Sequence, residues 1–191
     1  MRIKQYRVSQ VRGFTLTEAA IVLGIVGLIL GAIWVAASSV YQNMRIARSS
    51  EELLQIAQHI RTLNSTQNTV DPNATTANYI SAGVFPSDMV SGTSVINIWG
   101  GTVTITPTNA AGTANDGFVV TFGGIPANAC ADFLTRNTGT GRDTGIVGYA
   151  VAANNAATAA NNSTFPVNVS TAVGVCTNTS NAVSFTFKLK G

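Results

Sequence analysis

The chain has 191 residues, of which 46% are hydrophobic and 10% are charged, against a usual charged share of about 25%. This length suits one domain with an appendage and argues against two large domains. The formal net charge of +3 gives little support to nucleic-acid binding, because without residues 1–13 seven basic residues face eight acidic ones. The basic residues of that N-terminal stretch are Arg2, Lys4, Arg7 and Arg12.

The N-terminal stretch, residues 1–13, is basic and has no apolar run. The run begins only after the sequence Gly-Phe-Thr-Leu-Thr-Glu at 13–18, and Ala19–Ala37 then supplies 19 uncharged residues. That length is about what a helix needs to cross a bilayer. An ordinary secretory signal carries its apolar region before the cleavage site. Cutting after Gly13 would instead remove the charges and keep the helix.

A basic leader, this Gly-to-Glu sequence and an apolar stretch, in that order, resemble the class III signal of type IV prepilins and pseudopilins. The resemblance implies that a prepilin peptidase cuts between Gly13 and Phe14 and N-methylates Phe14. It also implies that Glu18 pairs with the new α-amino group of Phe14 on a neighbouring subunit, since an unpartnered carboxylate is costly in apolar surroundings. The alternative is a first-turn Glu18 stabilised by the helix dipole and wetted by headgroups.

Small residues recur in the apolar run at helix-packing spacing. Gly27 and Gly31 form a GxxxG pair, and Ala20 and Gly24 form a similar small-xxx-small pair. Such residues let helix backbones approach closely in lipid, so these four are predicted to pack helices. The alternative is that glycine is simply common in membrane helices.

The helix is predicted to continue past the apolar run to Leu63, because no proline occurs between Phe14 and Val70. Its second part is predicted to bury one face, formed by Ile46, Leu53, Ile56, Ile60 and Leu63. Charged residues occupy other positions: Arg45, Arg48, Glu51, Glu52 and Arg61. The 50 residues of Phe14–Leu63 would extend roughly 75 Å.

The positions of the basic residues predict the orientation. Four precede the apolar run, which places the leader in the cytoplasm and the C-terminal domain outside. In that compartment Cys130 and Cys176, separated by 46 positions, are predicted to form a disulfide. The alternative is two buried free thiols. A zinc site would need more ligands, and His59 is remote in sequence.

The region after Asp71-Pro72 predicts an antiparallel sheet domain. The predicted strands are Val95–Trp99, Thr102–Thr106, Phe118–Phe122, Ile146–Val151 and Val183–Leu189. Gly100-Gly101 predicts a hairpin turn, and Pro126–Arg136 predicts a short helix carrying Cys130. The fold class is therefore α+β, with a long N-terminal helix packed on a C-terminal antiparallel sheet. This pattern matches the pilin ladle shape. The segments are a cleaved leader (1–13), an apolar transmembrane and assembly helix (14–40), an amphipathic continuation (41–63) and a disulfide-bonded head (64–191).

The sequence Asn97-Ile98-Trp99-Gly100-Gly101, the helix-borne Cys130 and the late Cys176 resemble type IVb pilins, including thin-pilus subunits of conjugative plasmids. Phe14 and the short leader are more typical of type IVa. The resemblance implies a major pilin that polymerises with itself and meets a prepilin peptidase, the pilus assembly machinery and the inner membrane before forming a surface filament. A minor pilin or tip adhesin, or a pseudopilin of a secretion system, remains the alternative.

No catalytic constellation is assembled by the residues, so no enzyme activity, cofactor or metal is predicted, and neither is direct nucleic-acid binding. The filament's purpose stays open among adhesion, aggregation, conjugation and DNA uptake, because all four use the same assembly logic.

Overall fold

A computed structural model describes residues 13–140, 143, 145–154 and 162–190. The predicted leader therefore lies outside the described residues, apart from Gly13. The chain divides into two compact units, residues 1–41 and residues 42–191.

The first helix, α1, spans Leu16–Leu63 and contains 48 residues, close to the predicted range. It begins after Thr15, whose side chain accepts a hydrogen bond from the Glu18 N–H. It ends where the Asn64 side chain donates to the Ile60 carbonyl at 2.9 Å and satisfies one of the last backbone acceptors.

Four antiparallel strands form the main sheet in the order β3-β4-β6-β5. They are β3 (Val103–Thr108), β4 (Gly117–Ile125), β5 (Ile146–Ala153) and β6 (Asn181–Lys188). The last strand is thus central, with β4 on one side and β5 on the other. Directly opposed Phe118 and Phe187 stack with ring centroids 5.3 Å apart, as aromatic cross-strand neighbours do. All four strands were predicted, and β3 and β6 were predicted from alternating apolar residues.

Short elements complete the domain: α2 (Thr76–Ser81), β1 (Val90–Ser91), β2 (Ser94–Val95), α3 (Ala127–Thr138) and α4 (Val169–Val175). The helix α3 matches the predicted helix, whereas α2 and α4 were not predicted. The predicted strand Val95–Trp99 is wrong beyond Val95 and an isolated bridge at Ile96. The reason is Asn97, whose buried side chain donates to the Gly123 carbonyl at 2.7 Å and accepts from the Trp99 and Gly101 N–H groups. These bonds hold a turn in place of a continued strand.

One hydrophobic core joins the second part of α1 to the sheet and α3. From α1 it takes Ile46, Leu53, Ile56, Ala57 and Ile60, and from the sheet it takes Phe118, Val120, Phe122, Phe185 and Phe187. Phe133 of α3 lies among these rings, 5.5 Å from Phe122 and 5.6 Å from Phe185 between centroids. The predicted burial of Leu63 is wrong, because its side chain is 52% exposed at the end of α1. The predicted α+β class is confirmed.

Candidate functional site

The apolar first part of α1 is exposed to its surroundings in the single chain. The helix is long and apolar enough to cross a membrane, and its most apolar 18-residue stretch has no buried residue. Large apolar residues more than half exposed there are Ile21, Leu23, Ile25, Leu28, Ile29, Leu30, Ile33, Trp34 and Val35. A contiguous apolar surface of this size marks contact with lipid or with other protein chains.

Ala20, Gly24, Gly27 and Gly31 lie on one face of this exposed helix. At 100° per residue, the four positions fall within an arc of about 60°. A Cβ atom added at any of the three glycines would meet no atom within 4 Å beyond the helix's own backbone. The chain's own packing therefore does not require glycine there, and the predicted helix-packing role stays a prediction about neighbouring helices.

The start of α1 forms a compact polar network around Glu18. The Thr15 N–H donates to Glu18 Oε2 at 3.0 Å, and the Thr15 hydroxyl donates to the same oxygen at 2.8 Å. With the reciprocal bond from the Glu18 N–H to Thr15 Oγ1, this is a capping box. Sequence analysis missed it, although the Thr-x-x-Glu spacing before an apolar run is its recognised signal.

Gly13 and Phe14 precede this network in an exposed, non-helical segment, and Phe14 is 79% exposed. A peptidase could therefore reach the bond between them without unfolding a helix. Cleavage and methylation stay predictions, and so does the pairing of Glu18 with Phe14, which joins two copies of the chain.

A second polar cluster lies on the head, where Arg48 bridges two carboxylates. Its Nε donates to Glu52 Oε1 at 2.9 Å, and its Nη2 contacts Asp88 Oδ2. Glu52 is 6% exposed, and burial raises the pKa of its carboxyl although Arg48 opposes the shift. Sequence analysis placed Glu52 among the residues outside the buried face, because charged residues seldom lie inside unless paired.

The end of α1 is fastened to the sheet by Arg61. Its Nη1 donates to Asp143 Oδ2 at 2.8 Å, its Nε donates to the Lys188 carbonyl at 3.3 Å, and its guanidinium lies 5.6 Å from the Phe187 ring centroid. Burial raises the pKa of Asp143, but hydrogen bonds from Arg61 and the Gly145 N–H outweigh it and hold this pKa below its usual value.

Cys130 and Cys176 form a disulfide, with 5.8 Å between their Cα atoms. The bond ties α3 to the residue that ends α4, just before β6 begins. The predicted disulfide, and the predicted position of Cys130 on a short helix, are therefore confirmed.

The remaining candidates for chemistry are metal-binding side chains and His59. Among the described residues, no group of three or more His, Cys, Asp or Glu side chains is placed to hold a metal ion. His59 lies on the exposed side of α1, with its Nδ1 2.9 Å from the Val84 carbonyl oxygen.

Comparison with known families finds one that covers most of the head. The sequence model of the family PilS, described as PilS N terminal, matches residues 43–188. No curated protein sequence matches the chain.

Two crystal structures show the same fold. A type IVb pilin from Salmonella typhi aligns with a TM-score of 0.51 and 23% identity, over 72% of this chain and 98% of that one. TcpA, a type IV pilin from the El Tor biotype of Vibrio cholerae, aligns with a TM-score of 0.52 and 16% identity, over 75% of this chain and 98% of that one.

Proposed function

The chain belongs to the PilS N-terminal family and has the type IVb pilin fold, and from this premise we propose that it is the major structural subunit of a type IV pilus. The family consists of structural pilins, not enzymes. The observation that carries the proposal is the fully exposed apolar part of α1, which needs lipid or other subunits to cover it.

Processing is proposed to precede assembly. A prepilin peptidase cuts after Gly13, removes the basic leader and N-methylates Phe14. Both residues are exposed outside the helix, which suits an enzyme that must bind an extended backbone. The result is a mature chain whose first charged group is the new amine.

Assembly is proposed to proceed through the first part of α1. The Glu18 carboxylate leaves the Thr15 capping box, or shares it, and pairs with the Phe14 amine of a neighbouring subunit. Such a pair is strong in apolar surroundings, because little water competes with it. Ala20, Gly24, Gly27 and Gly31 allow neighbouring helices to approach closely.

Two locations follow from this sequence of events. The precursor lies in the bacterial inner membrane, with residues 14–40 as the spanning segment and the head outside the cytoplasm. The processed chain then moves into an extracellular filament with the help of the pilus assembly machinery. The disulfide agrees with an oxidising location for the head.

N-terminal peptide and intact-mass spectrometry of filaments sheared from the cell surface tests the proposal. The expected dominant species begins at N-methylated Phe14 and carries the Cys130–Cys176 disulfide. A chain that keeps residues 1–13 and stays in the membrane would contradict it. Correct processing at trace abundance would instead indicate a minor pilin or a pseudopilin.

A further inference from the structure

An acidic cleft lies on the head where α1 passes the loop before β1. Two adjoining cavities of about 100 and 150 Å³ share Arg48, Glu52 and Asp88 in their walls. The larger cavity is also lined by Glu51, Gln55 and Pro86. Arg48 is the one basic residue among these described lining residues, so its single charge faces three carboxylates.

The buried carboxylate of Glu52 is incompletely satisfied by the chain. Its side chain is 8% exposed and its Oε1 accepts from Arg48, but Oε2 is buried without a hydrogen-bond partner among the described residues. A buried acceptor left unmade costs about 1–3 kcal/mol, more when it is charged. The cleft therefore presents excess negative charge, and the unpaired Glu52 oxygen lies buried beneath its wall.

A cationic side chain is available at another part of the same head. Arg48, Arg61 and Arg136 are each paired with a carboxylate inside the chain. Lys190 is exposed, and its ammonium donates to the neutral amide of Asn68 at 2.6 Å. This lysine follows β6, and its partner Asn68 lies in the segment after α1.

The two places are separated along α1, as a filament contact requires. Glu52 precedes the end of the helix at Leu63 by 11 residues, which is roughly 16 Å along the axis. A contact between different surfaces of two copies can repeat along an open filament when its rotation does not close a ring, whereas a contact between identical surfaces closes as a dimer. The acidic cleft and Lys190 are two such different surfaces with opposite charge.

We propose that the cleft formed by Glu51, Glu52 and Asp88 binds the Lys190 ammonium of a second copy of this chain. The inference rests on the proposed function, because it adds a contact between the globular heads of two subunits to the packing of their helices. The ammonium pairs with the exposed carboxylates of Glu51 and Asp88 and replaces its hydrogen bond to Asn68. Arg48 stays in place and keeps Asp88 and Glu52 oriented toward the cleft.

Zero-length cross-linking with a carbodiimide tests the contact in intact filaments. This reagent joins a carboxylate and an amine only where the two touch. The expected product joins the tryptic peptide 49–61, which contains Glu51 and Glu52, to the peptide that contains Lys190. The same product should be missing from the full-length Gly13→Leu precursor held unassembled in the membrane. Filaments without this cross-link, or the same cross-link in the precursor, would overturn the contact alone, whereas a cell that makes no filament would overturn the proposed function as well.

Charge reversal gives an independent measurement. Glu51→Lys and Lys190→Glu should each lower the yield of sheared filaments by about threefold or more, and the double variant should recover most of the loss. Asp71→Lys makes the same change in charge at an exposed aspartate outside the cleft and should leave the yield unchanged. Equal losses in all three single variants, or no recovery in the double variant, would refute a specific pair.

Discussion

Residues 16–41 and residues 42–63 belong to one continuous helix, but they differ in what covers them. The first part exposes nearly every apolar side chain, and the second buries one face in the head's core from Ile46 onward. The change follows composition: after Glu18 the first part has no charged residue, and the next charge is Arg45. The comparison shows that two parts of one helix can suit different surroundings. The head's core covers the second part, whereas the first part suits contact with lipid or with neighbouring subunits.

The largest expected effect comes from blocking the step that frees the first part for assembly. Gly13→Leu should abolish surface filaments and leave the chain about 13 residues heavier by intact mass. A Cβ at position 13 meets no atom within 4 Å, so the thermal stability of the head should not change. Normal cleavage of the variant would show that Gly13 does not specify the site.

A larger side chain on the helix face formed by Ala20, Gly24, Gly27 and Gly31 should impair filament assembly without changing the fold of the head. Gly27→Leu should reduce filament yield by tenfold or more, because helix backbones could no longer approach there, on the order of 1.4 kcal/mol or more per contact. Ala37→Leu adds similar bulk on a different face and serves as the control. Equal filament yields of both variants would contradict a packing role for this small-residue face.

The disulfide should stabilise the head alone. Replacing Cys130 and Cys176 together by alanine should lower the free energy of unfolding by roughly 4 kcal/mol, the chain-entropy estimate for a loop of this length. Chemical denaturation followed by tryptophan fluorescence and far-UV circular dichroism measures it. Membrane insertion of the precursor should persist, because the apolar segment lies far from both cysteines in sequence.

Shortening a buried side chain in the second part of α1 should lower the free energy of unfolding of the head. Ile56→Ala should cost about 3 kcal/mol of unfolding free energy, because Ile56 is fully buried in the head's core. Leu54→Ala, two residues earlier and 37% exposed, should change it by less than about 0.5 kcal/mol. Similar losses in both would mean that the burial of this part is not one-sided.

The smallest effect should come from Glu52, and it should depend on pH. Burial raises the pKa of Glu52, so its contribution to stability is fully present below the unfolded pKa and is lost as pH rises through the folded pKa. Glu52→Gln should therefore match the wild type in acid and exceed it at neutral pH by less than about 1 kcal/mol. Asp143→Asn should do the opposite, because the lowered pKa of Asp143 gives stability that is lost as pH falls. Parallel pH profiles for the two variants would contradict this.

The sequence predicted the long helix, the four main strands and the disulfide, because each produces a pattern of residue types that is visible in the sequence itself. Apolar period, alternation with β-branched residues and cysteine usage are all visible without tertiary contacts. The helix α4 was missed because Val169, Thr171 and Gly174 have low helix propensity, so the segment suggested a loop. The Asn168 cap and the burial of Ala172 stabilise the helix instead. The six-residue α2 is too short to show a period.

The candidate site also has a part that the sequence predicts and a part that it does not. The Gly-to-Glu sequence at 13–18 predicts the processing and assembly residues, which stay predictions, but the buried Glu52 could not be predicted. Its burial depends on Arg48 and on Asp88, a residue 40 positions beyond Arg48 in the chain. Long-range pairing of charges leaves no local pattern.

The central position of β6 has a consequence for how the head is made. Because the chain is synthesised from its N-terminus, β4 and β5 are made before the strand that must lie between them. Until residues 181–188 emerge, both strands keep an open edge facing the gap, and Phe118, Phe122 and Tyr149 lack their neighbours. A chain that ends before residue 181 therefore cannot complete the sheet, because only β6 pairs with the inner edges of both β4 and β5.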